Sequence, residues 1–264
     1  MRRSFCAALL CLASLVQAQT ASEIRYVWAS KLILRTEPDA RSAEIARLAY
    51  GAKVALLAPP AQMVAHKENV GKLRSGQDHP AADITLDGYW RQIDAAGKQG
   101  WVFDGYLSRY PVPGPDKSAS YFDDEEMLYA ARIFGVARSW RWQKSDGKKS
   151  PSYQVMRQHW KLDDDFNPAE IYWVRAEYKL GGSAEYGLIM GEMTSSTLTF
   201  KGLPLTFNEA LLWQLHFHPL QGTGTFAPQR SLQIGPADDD SGVAFGRTIE
   251  CNNQTCNISR DMAD

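Results

Sequence analysis

The sequence predicts a mainly β protein in two parts. A small antiparallel barrel spans residues 19–110, and a β-rich domain, sandwich or barrel, spans residues 121–264 behind one leading helix. Three observations predict this. Short runs of β-branched and aromatic residues recur between turn residues over 24–110. A stretch rich in proline and glycine, 111–120, reads as the linker between two domains. Beyond it, one helical stretch gives way to segments that alternate apolar and polar residues.

The chain opens with Met1-Arg2-Arg3, an apolar stretch from Phe5 to Val16, and small residues around Ala18. That order of charge, apolar core and small side chains predicts a secretory signal peptide over residues 1–18, cut after Ala18. Its apolar core is too short to span a bilayer, and no later segment reaches the roughly 20 apolar residues of a membrane helix. A periplasmic or secreted protein without a membrane span is therefore expected. Cleavage removes Cys6 and Cys11, leaving Cys251 and Cys256 in "CNNQTC". In an oxidising compartment these two are expected to close a small disulfide loop, worth about 2 kcal/mol by chain entropy.

Within the first part the β-type runs are "IRYVWA", "KLILRT", "EIARLAY", "KVALLA", "YWRQID" and "GWVFD". Between the fourth and fifth lies a polar segment, residues 58–88, with Pro59-Pro60 and no strong periodicity, which reads as a long inserted loop. In the closing "GKQGWVFDGYLSRY", Gly97 and Gly100 are expected at positive φ in a hairpin turn. Trp101 and Phe103 then share one strand face while Val102 takes the other.

The positions Leu32-Ile33-Leu34-Arg35 with Pro38, Ile45, Leu48, Gly51, Val54, Trp90, Ile93, Gly97, Gly100-Trp101-Val102 and Tyr106-Leu107 resemble the bacterial SH3-like domain of secreted and cell-wall proteins. The likeness covers about residues 24–110, a third of the chain. Ile33 stands where the family has Asn, and the 58–88 insertion is foreign to it. The resemblance implies a ligand, a peptide, cell-wall fragment or protein partner, held in an aromatic groove to which Trp28, Tyr89, Tyr106 and the inserted segment contribute. Such a fold carries many functions and by itself specifies no reaction.

The second part begins with "DDEEMLYAARIFGV", where acids precede Met127, Leu128, Ala131 and Phe134 at helical spacing. The period then becomes two. In "IYWVRAEYKL", Tyr172, Val174, Ala176, Tyr178 and Leu180 share a face opposite Trp173, Arg175, Glu177 and Lys179, as in an antiparallel strand with one wet face. "LLWQLHFH" reads the same way, with Gln214, His216 and His218 as its polar side.

Charge narrows the partners. Residues 19–115 carry 12 Lys+Arg against 10 Asp+Glu, and residues 116–264 carry 15 against 20. Neither half has the basic excess that nucleic-acid binding requires. Motifs narrow the chemistry: there is no Gly-x-Ser-x-Gly elbow, His-Glu-x-x-His helix or phosphate-cradling glycine loop. No cofactor is expected. A metal reading rests on His216 and His218, spaced two apart on a strand, with Glu209 or His159 as a third ligand. The plainer reading makes them a polar strand face. Asp163, Asp165 and Asn167 alternate as at the start of a calcium loop, but Pro168 stands where that loop needs glycine. "DDDSG", Asp238 to Gly242, reads as an acidic turn. "RSWRWQKSDGKK" interleaves Trp140 and Trp142 with basic residues and reads as a strand with opposite characters on its two faces, though stacking and charge could also dock an anionic polymer.

The sequence therefore points to a noncatalytic binding protein that recognises peptidoglycan or a periplasmic or extracellular protein. The alternatives are a cell-wall hydrolase whose catalytic residues lie in the second part, and an inhibitor or immunity protein that blocks such an enzyme.

Overall fold

The computed structural model describes residues 23–76, 79–114, 124–143, 149–160, 170–190, 194–218, 220, 222–235 and 244–263. The predicted signal peptide, Asp163 to Asn167 and Asp238 to Gly242 lie outside these residues, as does the side chain of His159.

The protein is mainly β, with two antiparallel sheets and a helix preceding the second. The first lobe contains β1 (Glu23–Val27), β2 (Lys31–Arg35), β3 (Glu44–Ala49), β4 (Lys53–Leu56), β5 (Ala65–Leu73), β6 (Ala82–Ala95), β7 (Lys98–Phe103), a single 3-10 turn (Asp104–Tyr106) and β8 (Leu107–Ser108). Their order is β3-β2-β7-β6-β4-β1-β8, with β5 paired to β6. The sheet wraps around Val27, Leu32, Leu34, Leu48, Val54, Ile93, Val102 and Leu107. These are the alternate, inward positions of its strands.

The β6–β7 hairpin turns at Ala96 and Gly97, with φ of 53° and 86°. Positive φ at both central residues matches the right-handed twist of the flanking strands. Gly100, expected to share that turn, instead lies in β7 for lack of space. A Cβ there would stand 2.6 Å from the Arg35 carbonyl oxygen and 2.8 Å from Ile45 Cδ1. Gly100→Ala is accordingly expected to lower stability by about 1–3 kcal/mol through overpacking. A shift of the denaturation midpoint at unchanged slope would show it.

The segment read as a loop over 58–88 contains β5 and the first half of β6. β6 is 14 residues long and runs out of the barrel, and its outer half pairs with β5 in a ribbon from Ala65↔Tyr89 to Leu73↔Ala82. Only one ribbon face is apolar. Leu73, Ile84 and Leu86 are fully buried by it, while the other face is polar, which hides the strands from a hydropathy reading.

The second lobe comprises α1 (Glu125–Phe134), β9 (Val136–Gln143), α2 (Pro151–Trp160), β10 (Glu170–Tyr178), β11 (Ser183–Met190), β12 (Ser195–Leu203), α3 (Phe207–Phe217), β13 (Gly224–Ala227), β14 (Ser231–Ile234), β15 (Ala244–Cys251) and β16 (Cys256–Ala263). Eight strands form one path, β13-β14-β15-β16-β12-β11-β10-β9. Tyr172, Ala176 and Tyr178 share the inner face with Leu198, Phe200 and Ile258, while Arg175 and Glu177 face outward. Trp173, on the outer face, is dry because α2 covers it together with Trp142 and Met156. Leu180 falls beyond the strand and is 60% exposed. Cys251 and Cys256 face each other across the β15–β16 hairpin at disulfide-bonding distance, with Cα atoms 4.1 Å apart.

"LLWQLHFH", predicted as a strand, is the helix α3. Thr206 caps it: the Thr206 hydroxyl accepts from the Glu209 amide, and the Glu209 carboxylate accepts from the Thr206 amide. Ala210 to Gln214 are all buried, so the helix is apolar nearly all round and carries no one-sided stripe. α2 is a further helix that alternation does not announce; Pro151 opens it, and the Ser150 hydroxyl accepts from the Tyr153 amide.

Candidate functional site

The two lobes share one core. Trp28, Leu73, Ile84, Leu86 and Phe103 of the first lobe belong to the same buried cluster as Tyr129, Phe134, Phe200 and Trp213 of the second. The two faces of β7 are thereby divided: Val102 fills the barrel, and Phe103 fills the seam between lobes.

A polar strut locks that seam. Glu209 is buried, and its carboxylate accepts from the Arg109 amide at 2.8 Å, the Ser108 hydroxyl at 3.2 Å and the Arg109 guanidinium at 2.6 Å. Burial alone pushes this carboxyl up, but the Arg109 hydrogen bonds, the Thr206 amide and the Arg109 charge outweigh it and hold the group below its ordinary value. The Pro204 carbonyl accepts from both Arg109 and the Tyr110 hydroxyl, and the Tyr110 carbonyl accepts from the Trp28 indole. The stretch 109–114 thus lies against both lobes, and residues 115–120 lie outside the described residues.

A second buried carboxylate, Glu126 of α1, accepts from the Trp213 indole at 3.0 Å, the Gln214 amide at 2.7 Å and His218 Nε2 at 2.8 Å. Burial raises this carboxyl, while His218, Arg260 and Gln214 lower it, and the net direction is down. Asp124, paired with Arg260, goes the other way because its burial dominates.

Between the lobes, beside the strut, opens a cleft of about 520 Å³. The first lobe supplies Trp28, Lys31, Tyr50, Glu68 and Tyr106 to its walls, and α3 supplies Leu212, Leu215 and His216. Tyr50 and His216 meet across the seam, with the phenol oxygen 2.8 Å from His216 Nδ1 and the rings stacked at 5.7 Å and 6°. Burial pushes the Tyr50 phenol up to about 12 and pulls the His216 imidazole down. Near neutral pH both are uncharged, and the phenol is placed to donate to Nδ1. On the far side of His216 a smaller cavity of about 420 Å³ is walled by Glu125, Tyr129, Arg132 and Phe217. His216 thus lines both cavities. Stacking surface with a few fixed polar groups suits orientation of a ligand.

The sequence-predicted ligand residues separate. Trp28 and Tyr106 line the interlobe cleft, though Trp28 is only 7% exposed and forms its floor. Tyr89 is 45% exposed and lines another cavity, beside His66, Lys67, Asp87 and Gln229. His216, His218 and Glu209 do not converge: helical geometry turns them apart, and they engage Tyr50, Glu126 and Arg109 respectively. Among the described residues no three His, Cys, Asp or Glu side chains are grouped to hold a metal ion. No helix among the described residues is long and apolar enough to cross a membrane. Sequence reasoning missed Tyr50 and the helical setting of His216; the Thr206-x-x-Glu209 capping box was the available signal for the helix.

Comparison of the chain with protein-family models, curated proteins and solved structures finds no match.

Proposed function

We propose that this chain is a noncatalytic binding protein of the periplasm or the extracellular space, whose SH3-like first lobe and β-rich second lobe jointly hold a peptide or cell-wall fragment. The carrying observation is the cleft at Tyr50 and His216, to which both lobes contribute walls. Tyr50 and His216 pair with each other there and, stacked, offer a ligand an aromatic surface with fixed hydrogen-bonding groups. The SH3-like reading draws support from the burial of Leu32, Leu34, Leu48, Val54, Ile93, Val102 and Leu107, all positions of the resemblance. The N-terminal sequence and the cysteine pair favour export.

Co-sedimentation of the mature protein, residues 19–264, with peptidoglycan sacculi at low and moderate salt tests this reading. Binding is expected, and Tyr50→Ala, at a residue 37% exposed, is expected to weaken it by about tenfold with the fold intact. Undiminished binding by the folded variant would move the ligand away from the cleft. Absence of binding by the wild type would exclude the wall fragment in favour of a protein partner.

A further inference from the structure

We propose a second binding site, for an uncharged oligosaccharide, in a trench that runs from Tyr89 across Gln229 to the disulfide-closed turn at Asn252–Gln254. It lies apart from the interlobe cleft and does not depend on the reading of that cleft. Two cavities meet at Gln229. One, of about 450 Å³, is walled by His66, Lys67, Asp87 and Tyr89. The other, of about 560 Å³, is walled by Arg230, Asn252, Asn253 and Gln254. Both fall within the range of small-molecule sites.

The trench is rigidly built. Gln229 has a φ of 61°, a conformation that favours glycine, and is held there with its amide donating to the Asp87 carbonyl at 3.2 Å and the Asn208 side-chain oxygen at 3.3 Å. Tyr89 is 45% exposed while its amide donates to half-buried Asp104 at 2.7 Å. At the far end, Asn252 Oδ1 accepts from the Gln254 and Thr255 amides, and the Cys251–Cys256 pair closes the turn.

The chemistry of the walls selects the ligand. Lys67 is bound to Asp87 at 2.9 Å, so this pair presents no net charge to a ligand. At the other end Asn252, Asn253 and Gln254 offer amides, which both donate and accept, and the Arg230 guanidinium adds donors that suit hydroxyl oxygens. An apolar ligand would desolvate the ion pair and the amides without replacing their bonds. A sugar ring offers an apolar face to stack on Tyr89 and hydroxyls that donate and accept along its edge.

Calorimetric titration of the mature protein with the β-1,4-linked tetramer of N-acetylglucosamine tests the proposal. Saturable binding is expected, weakened about tenfold by Tyr89→Ala and by Gln229→Gly, which suits the left-handed backbone while removing the amide. Tyr50→Ala, which targets the interlobe cleft, is expected to leave tetramer binding unchanged. The absence of saturable tetramer binding, or binding unaltered in folded Tyr89→Ala, would overturn the proposal. So would tetramer binding lost in Tyr50→Ala, which would place the sugar in the interlobe cleft.

Discussion

Replacing Trp213 by alanine is expected to destabilise the whole protein by about 3–5 kcal/mol, the range for removing a large buried aromatic side chain. Trp213 is 1% exposed and sits edge-on to Tyr129 at 4.8 Å and Phe200 at 5.3 Å, with Phe134 stacked at 6.2 Å. These three come from α1 and β12, so one side chain ties helix and sheet together around α3. Its indole also donates to Glu126, and truncation would leave that buried carboxylate short of a donor. Trp213→Phe separates the contributions: it keeps most of the apolar volume and loses the bond, so a cost nearer 1–3 kcal/mol is expected. Chemical denaturation followed by far-UV circular dichroism measures both. A cost below about 1 kcal/mol for Trp213→Ala would mean that the shared core is not packed as described.

The second large effect is expected at the strut. Glu209→Gln should cost about 2–3 kcal/mol, below the 3–5 kcal/mol of a fully buried pair because the Arg109 side chain is 40% exposed and water recovers part of its solvation. The same substitution should flatten the acid limb of stability. Because the folded-state pKa of Glu209 is depressed, its contribution is full above the unfolded value of about 4.3 and is lost as pH falls through the folded value. Glu126 contributes with the same sign, whereas Asp124, whose folded value is raised, opposes both. The wild type should therefore lose stability below about pH 5, and Glu209→Gln should lose less over that interval. Denaturant midpoints at pH 7, 5 and 4 measure this. Equal slopes for both proteins would remove Glu209 from the linkage. A double-mutant cycle with Arg109→Ala isolates the pair itself.

How far the sequence foretells this arrangement differs by element. Strands with one wet face are legible: Tyr172, Ala176 and Tyr178 are buried where alternation places them. α1 is legible because acids at its first turn precede apolar residues at helical spacing. α3 is not, because a helix buried nearly all round has no polar stripe, and its Gln and His residues happen to alternate with apolar ones. The β5–β6 ribbon escapes for the opposite reason, since three buried side chains are too few to mark a period. Tyr50 escapes because only the docking of α3, more than 150 residues further along, gives it a partner. For the same reason Trp28 reads as a groove or barrel-core aromatic of the first lobe alone, although it belongs to the core shared with the second. Site residues made by contacts between lobes leave no spacing in the chain.

The shared core makes the lobes one cooperative unit, with the cleft at their seam. Native-state hydrogen exchange, read on peptides covering β2 and β7 and on peptides covering β12 and β16, tests it most directly. The slowest amides of both lobes are expected to open with the same free energy and the same denaturant dependence. First-lobe amides that stay protected after the second lobe has opened would show two independent domains and contradict it.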